Sequence, residues 1–214
     1  MYESRRSRIV AGACIIAAVT VFALLTVALL RQQLQQLDQF GIMLVDRLRS
    51  PFGDVFFPIV TWAGSSFLLV PICFAVAWWV RSRHRLLVAP LLVAPAGAIL
   101  LQNVLKPLFD RTRPEAGVIA ELGPSFPSGH RMAATAVWLA LAYVLAREKV
   151  IPSYMMLFAP LLPLVVGISR VYLGVHWTSD VIAGWSTGLM IVMASVLLYE
   201  RARALEAGRE AGAT

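Results

Sequence analysis

Five stretches of the chain, residues 9–30, 58–80, 86–105, 151–169 and 181–199, carry no charged side chain. Each is close to the roughly 20 residues needed to cross a hydrocarbon core. Within lipid a backbone has to satisfy its own hydrogen bonds, so runs of this length read as helices. A sixth run, 132–146, is shorter and reaches spanning length only if its helix starts back at Ser128, which draws His130 and Arg131 into the first turn. Composition agrees: 59% of residues are apolar and 14% charged, where a soluble domain carries about a quarter charged. The first run is too long for the apolar region of a cleaved signal and is read as a retained helix.

Between the first two runs, "RQQLQQLDQFGIMLVDRLRSPFGD" spaces Leu34, Leu37, Gly41, Leu44 and Leu48 by three or four residues. That period predicts an amphipathic helix lying in the membrane interface. The expected fold is therefore an all-α, six-helix transmembrane bundle with an interfacial helix between helices 1 and 2. A single domain spans 1–200, and 201–214 forms a frayed cytoplasmic tail. Pro90, Pro95, Pro160 and Pro163 fall inside spans and are read as kinks. Cys14 and Cys73 lie in apolar runs and are read as small hydrophobes.

Alternating sides helix by helix puts Arg5, Arg6, Arg8, Arg81, Arg83, Arg85, Arg147, Lys149, Arg201, Arg203 and Arg209 together, eleven of the 19 basic residues, against eight opposite. The positive-inside rule then places both termini in the cytoplasm. The net charge of +7 is accounted for by these flanking loops. No basic patch interleaved with aromatics suggests nucleic acid as a partner; the expected partners are the bilayer and a lipid within it.

The polar residues that topology does not explain gather on the outer side. "KPLFDRTRP" carries Lys106 and Arg113, "PSGH" carries Ser128, Gly129 and His130, and "SRVYLGVHWTSD" carries Ser169, Arg170, His176 and Asp180. Ionisable groups at a membrane are costly enough to be functional suspects. Lysine and arginines suit a phosphate: Arg113 and Arg170 each present a planar fork to two oxygens, and Lys106 adds a point charge. The amides of Ser128 and Gly129, at a helix start capped by Ser128, add donors backed by the helix dipole. His176 stands four residues before Asp180, so the carboxylate can hold one ring nitrogen and leave the other to attack phosphorus. His130 has no carboxylate at that spacing and is the better proton donor to a leaving oxygen.

Lys106, six residues, then Arg113-Pro114; Pro127-Ser128-Gly129-His130; and Ser169-Arg170, five residues, His176, three residues, Asp180 together resemble the three-part signature of the type 2 phosphatidic acid phosphatase family. The resemblance implies the same roles for the two histidines. It also implies a membrane lipid phosphatase acting, through a phosphohistidine, on a lipid phosphate or diphosphate such as undecaprenyl diphosphate, phosphatidylglycerol phosphate or phosphatidic acid. Arg131 departs from the small or hydroxyl residue common after "PSGH" and is read as a headgroup contact.

No cofactor and no metal is expected. The outer acids Asp38, Asp46, Asp54, Asp110, Glu115, Glu121 and Asp180 show no ligand spacing. A phosphoryl transferase on the same fold and a non-catalytic lipid transporter or binding protein are the alternatives. Gly184 and Gly188 in the last helix are read as a close-packing pair.

Overall fold

A computed structural model describes residues 2–115 and 122–212, without the side chains of 2–8 and 210–212. Among them the chain forms eight α-helices and no strand. These are α1 (Tyr2–Leu30), α2 (Gln35–Leu48), α3 (Pro51–Thr61), α4 (Ser66–Val80), α5 (Val88–Phe109), α6 (Gly129–Arg147), α7 (Leu161–Tyr172) and α8 (Thr178–Gly212). Side chains are distributed as in a lipid-facing protein. Large apolar residues such as Phe67, 88% exposed, Phe74, Trp78 and Leu100 point outward, while Asp38, Arg131, Arg170, His176 and Asp180 are buried.

Four segments are long and apolar enough to cross a membrane: Ile9–Leu30, Arg85–Phe109, Ser153–Tyr172 and Thr178–Arg209. A fifth is added if Pro51–Gly64 and Ser66–Val80, bent by 48°, count as one. The run 58–80 is thus not one straight helix. It breaks at Ser65, whose extended backbone (ψ 133°) lets its hydroxyl accept from the Phe67 amide and restart the helix as α4. The carbonyl of Ala63, freed by the break, accepts from the Trp138 indole at 2.8 Å.

The remaining expected span, α6, falls short in hydropathy for a physical reason. It is packed by α4, α5, α7 and α8, so its surroundings are protein rather than lipid. Small residues let this happen: Ala94 and Ala98 on α5 and Ala133, Ala136, Val137 and Ala140 on α6 share one core with Cys73 of α4 and Val192 and Val196 of α8. Cys14 and Cys73 are both free thiols, the second fully buried.

Gly184 and Gly188 bring the α8 backbone against α6. A Cβ at Gly184 would lie 2.7 Å from the Ser128 carbonyl oxygen, and one at Gly188 would lie 2.7 Å from that of Met132. Gly184→Ala is expected to lower stability by about 1–3 kcal/mol, the usual cost of overpacking. It should also reduce activity, because the atom it displaces belongs to the start of α6. An unfolding midpoint in detergent equal to wild type would show that α6 and α8 separate freely there.

Three other expectations change. Pro160 and Pro163 fall inside the segment Ser153–Tyr172 but do not kink a continuous α-helix: they occupy the N-cap and first turn of α7, where a missing amide is tolerated. Residues 201–212 do not fray but continue α8, a stretch rich in the helix formers Ala, Arg, Glu and Leu, with Arg85 donating to Glu206 at 2.9 Å. The amphipathic helix forms as α2, yet its apolar stripe divides: Leu34, Gly41 and Val45 are buried with Asp38, against α7 and α8, while Leu44 and Leu48 are exposed.

Candidate active site

At one end of the bundle α5 and α7 stop while α6 and α8 begin, and the connecting loops are clamped there. Asp110, in the left-handed region at φ 38°, ends α5, and Gly174, at φ 66°, follows the end of α7. The amide of Ser125 donates to the Arg111 carbonyl, while the Ser125 hydroxyl and the Trp177 indole both donate to the Thr112 carbonyl. The first turns of α6 and α8 present their positive dipole ends to the same place.

All eight expected residues meet here. Lys106, from the last turn of α5, lines a cavity of about 420 Å³ with Gln102, Arg113, Gly129 and His130. His130 also borders a second cavity of about 360 Å³, with Arg170 and the apolar Pro58, Trp62 and Phe67. Arg170 is buried and donates to the Thr61 hydroxyl of α3 at 3.1 Å. Arg113 donates to the carbonyls of Gly123 and Val175, at 2.9 and 2.8 Å, and its Nη1 lies 3.2 Å from His176 Nε2.

A guanidinium only donates, so the Arg113 contact puts a lone pair on Nε2 and the ring proton on Nδ1. Nδ1 faces Asp180 Oδ2 at 3.4 Å. Burial, and then the positive charges of Arg170, Arg113, Arg131 and Lys106, hold the His176 pKa well below the ordinary 6.5. The imidazole is therefore neutral at neutral pH, with one nitrogen braced and the other bearing an electron pair.

Ser128 differs from expectation. It occupies the N-cap of α6 but makes no side-chain cap, and its amide donates to the Asp180 carbonyl at 3.1 Å. The donor it can turn to a ligand is its hydroxyl, which is buried without a partner among the described residues. Gly129 begins α6 with its backbone against the end of the Gln102 side chain, which a Cβ there would displace.

Arg111, Asp38 and Ser179 complete the site and were not singled out from the sequence. Arg111 donates through Nη1 to Asp180 Oδ1 at 2.6 Å and to Ser179 Oγ at 2.7 Å, and through Nη2 to Asp38 Oδ2. Asp38, 2% exposed, accepts from the Ser179 amide at 2.9 Å and hydroxyl at 2.7 Å, which caps α8 from a distant helix. Asp180 also accepts from the Trp177 amide at 3.0 Å. The signal for Asp38 was its place on the same helical face as Leu34, Gly41 and Val45, where a lone carboxylate has to find a partner.

Arg131 is not a headgroup contact at the surface: it is fully buried, its Cβ and the Ser128 carbonyl both lying against Gly184. Among the described residues no three His, Cys, Asp or Glu side chains converge as metal ligands; Glu121 lies outside those residues.

The sequence profile of the PAP2 superfamily matches residues 87–204, more than half of the 214. Phosphatidylglycerophosphatase B of Bacillus subtilis is 31% identical over 176 residues, covering 79% of this chain and 87% of its own length. An undecaprenyl-diphosphatase of Sulfolobus acidocaldarius is 32% identical over 142 residues, 62% of this chain and 64% of its own. The crystal structure of a transmembrane PAP2 type phosphatidylglycerolphosphate phosphatase from Bacillus subtilis superimposes with a TM-score of 0.79 at 30% identity, covering 87% of this chain and 96% of that one. A profile match that runs from α5 through most of α8, joined to a shared fold over most of both chains, makes this protein a member of the PAP2 superfamily.

Proposed function

We propose that the protein is a membrane lipid phosphatase that hydrolyses a lipid monophosphate or diphosphate through a phosphohistidine, without a metal ion. The observation that carries this reading is His176 itself: a buried neutral imidazole, oriented by Asp180, with the electron pair of Nε2 directed to the Arg113 fork. Anion binding alone would not need a nucleophile so braced. The names of the relatives, a phosphatidylglycerophosphatase and an undecaprenyl-diphosphatase, support a lipid phosphate as substrate.

In this mechanism Lys106, Arg113 and Arg170, with the Ser128 hydroxyl and the Gly129 amide, hold the phosphoryl oxygens and stabilise the charge of the transition state. Nε2 of His176 attacks phosphorus while the bond to the leaving oxygen breaks, and His130 gives that oxygen its proton. Water then attacks the phosphohistidine and yields its proton to His130. Inorganic phosphate leaves, and both imidazoles return to their starting state. Asp180 stabilises the positive charge that the attacking ring acquires.

Six spans with α2 at the interface fit this reading, α6 being the span enclosed by the others. Arg81, Arg83, Arg85, Arg203 and Arg209 line one hollow at the opposite end of the helices from the site, and Arg147 and Lys149 line its neighbour. The positive-inside rule makes that end cytoplasmic, with both termini, and puts the site outside. Residues 1–200 act as one domain, with 201–214 a cytoplasmic extension. The lipid tail passes through the cavity bordered by Pro58, Trp62 and Phe67, while the headgroup meets His130 and Arg170.

The test is phosphate release from a panel of lipid phosphates and diphosphates in detergent, with excess EDTA and no added divalent ion. Release from at least one lipid is expected, with inhibition by vanadate, which adopts the five-coordinate shape of the transition state. Release from none, recovery of activity only on adding Mg²⁺, or transfer of the phosphate to another lipid in place of release would each overturn the reading.

The pH profile gives a further expected outcome. Protonation removes the attacking electron pair, and the lowered pKa of His176 delays that protonation as pH falls. The acid limb of kcat/KM, which reports the free enzyme, should therefore lie below 6.5. An acid limb at or above 6.5 would mean that His176 is not held neutral by burial and its cationic neighbours.

A further inference from the structure

The mechanism above leaves one buried cation unused. Arg131 lies in the first turn of α6 and is 0% exposed, and Nε, Nη1 and Nη2 all lack a hydrogen-bond partner among the described residues. No carboxylate lies within ion-pair distance of it there, whereas Arg111 engages both Asp38 and Asp180. An ionised group so placed is costly unless something answers its charge.

Its position indicates what answers it. Side chains in a first helical turn lean back toward the helix start, which here is Ser128 and the phosphate cradle. The Cβ of Arg131 packs against Gly184, the α8 residue one turn beyond Asp180, in the space that a side chain at 184 would fill. The hydroxyl of Ser128 is buried there too, likewise without a partner. The charge of Arg131 also reaches His176, where it opposes protonation together with those of Arg170, Arg113 and Lys106.

We propose that Arg131 is a phosphate-stabilising cation set behind the cradle, its charge uncompensated in the anion-free protein and answered by the phosphoryl group when substrate binds. This rests on the phosphatase reading and deepens it. Lys106, Arg113 and Arg170 grip the anion from the cavity; Arg131 acts on it from within the protein, where low polarity lengthens the reach of a charge. It is a positioning and charge-supplying residue, not a group that takes part in bond making. A protein built this way tightens when the anion arrives, because the same event satisfies a cation that the fold alone leaves unanswered.

The experiment measures thermal unfolding of the purified protein in detergent, with and without orthovanadate, for wild type, Arg131→Leu, Arg131→Met and Arg131→Lys. Without anion, the Leu and Met variants should unfold at or above the wild-type temperature, since each removes an unanswered charge. With vanadate, their stabilisation should require on the order of 10- to 100-fold more anion, the range expected for losing one charge at a few ångströms in a poorly screened site. Arg131→Lys should stay close to wild type. A merely structural arginine would give the opposite pattern, with lower stability in the absence of anion and unchanged vanadate affinity.

Unchanged vanadate affinity in Arg131→Leu overturns the proposal and leaves the phosphatase reading standing. If Leu and Met fail to fold while Lys folds, the charge is answered within the protein and the proposal is likewise wrong. Vanadate stabilisation that depends on Arg131 in a protein hydrolysing no lipid would support this inference and overturn the phosphatase one. No stabilisation of wild type by vanadate would overturn both.

Discussion

His176→Ala should lower hydrolysis of any lipid phosphate by about ten-thousand-fold or more, the scale seen when a covalent nucleophile is removed from a preorganised site. The cations, the Ser128 hydroxyl and the two helix starts would remain, so substrate should still bind and KM should change far less than kcat. A labelled phosphate group should be trapped on the wild-type chain as a base-stable, acid-labile adduct, the signature of a phosphorus–nitrogen bond. None should form in the variant. His130→Ala should still form the adduct from an aryl phosphate, whose leaving oxygen needs no proton, and should be slow with a natural lipid. A base-stable adduct in His176→Ala would move the nucleophile elsewhere, and equal loss on both substrates in His130→Ala would remove its role as acid.

Arg111→Leu should cost about 3–5 kcal/mol of stability, the range for leaving a buried charge without its partner. The cost is high because Arg111 serves two carboxylates, Asp38 and Asp180, with side chains 3% and 0% exposed. Activity should fall as well, since Asp180 would lose the guanidinium that holds Oδ1 and would rest on the Trp177 amide and the His176 ring at Oδ2. Adding Asp38→Leu to Arg111→Leu should recover part of the stability by removing one of the two stranded charges, while activity stays low. Unfolding of the single variant within about 0.5 kcal/mol of wild type, the usual limit for a surface change, would show that water reaches these carboxylates.

The difference between Arg113 and Arg111 shows where sequence reading succeeds. Arg113 stands seven residues after Lys106 and directly before Pro114, and His176 stands four before Asp180; these are local spacings, and a local spacing survives folding. Arg111 acquires its meaning from Asp38, 73 positions away on α2. Nothing in "LDQFG" shows that its carboxylate will cap α8. Hydropathy likewise located five of the runs but could not see that 58–80 breaks at Ser65. That break is stabilised by the Trp138 indole from another helix, a partner visible only in three dimensions. For α6 the polar first turn and modest hydropathy reflect neighbours that are helices rather than lipid. A place just after "PSGH" suggests a headgroup contact for Arg131; the close approach of α8 at Gly184 buries it instead.

The cavity bordered by Pro58, Trp62, Phe67, His130 and Arg170 is lined from α3, α4, α6 and α7, and in the proposed function it is the way in for the lipid tail. A lipid using it never leaves the plane of the bilayer, so the encounter is a search in two dimensions. The variable that sets the rate is then the mole fraction of substrate in the surface. Diluting the substrate with inert detergent or lipid at fixed bulk concentration should slow turnover, whereas diluting the whole suspension with buffer should not. Tail length, beyond the part that lies against Trp62 and Phe67, should matter little.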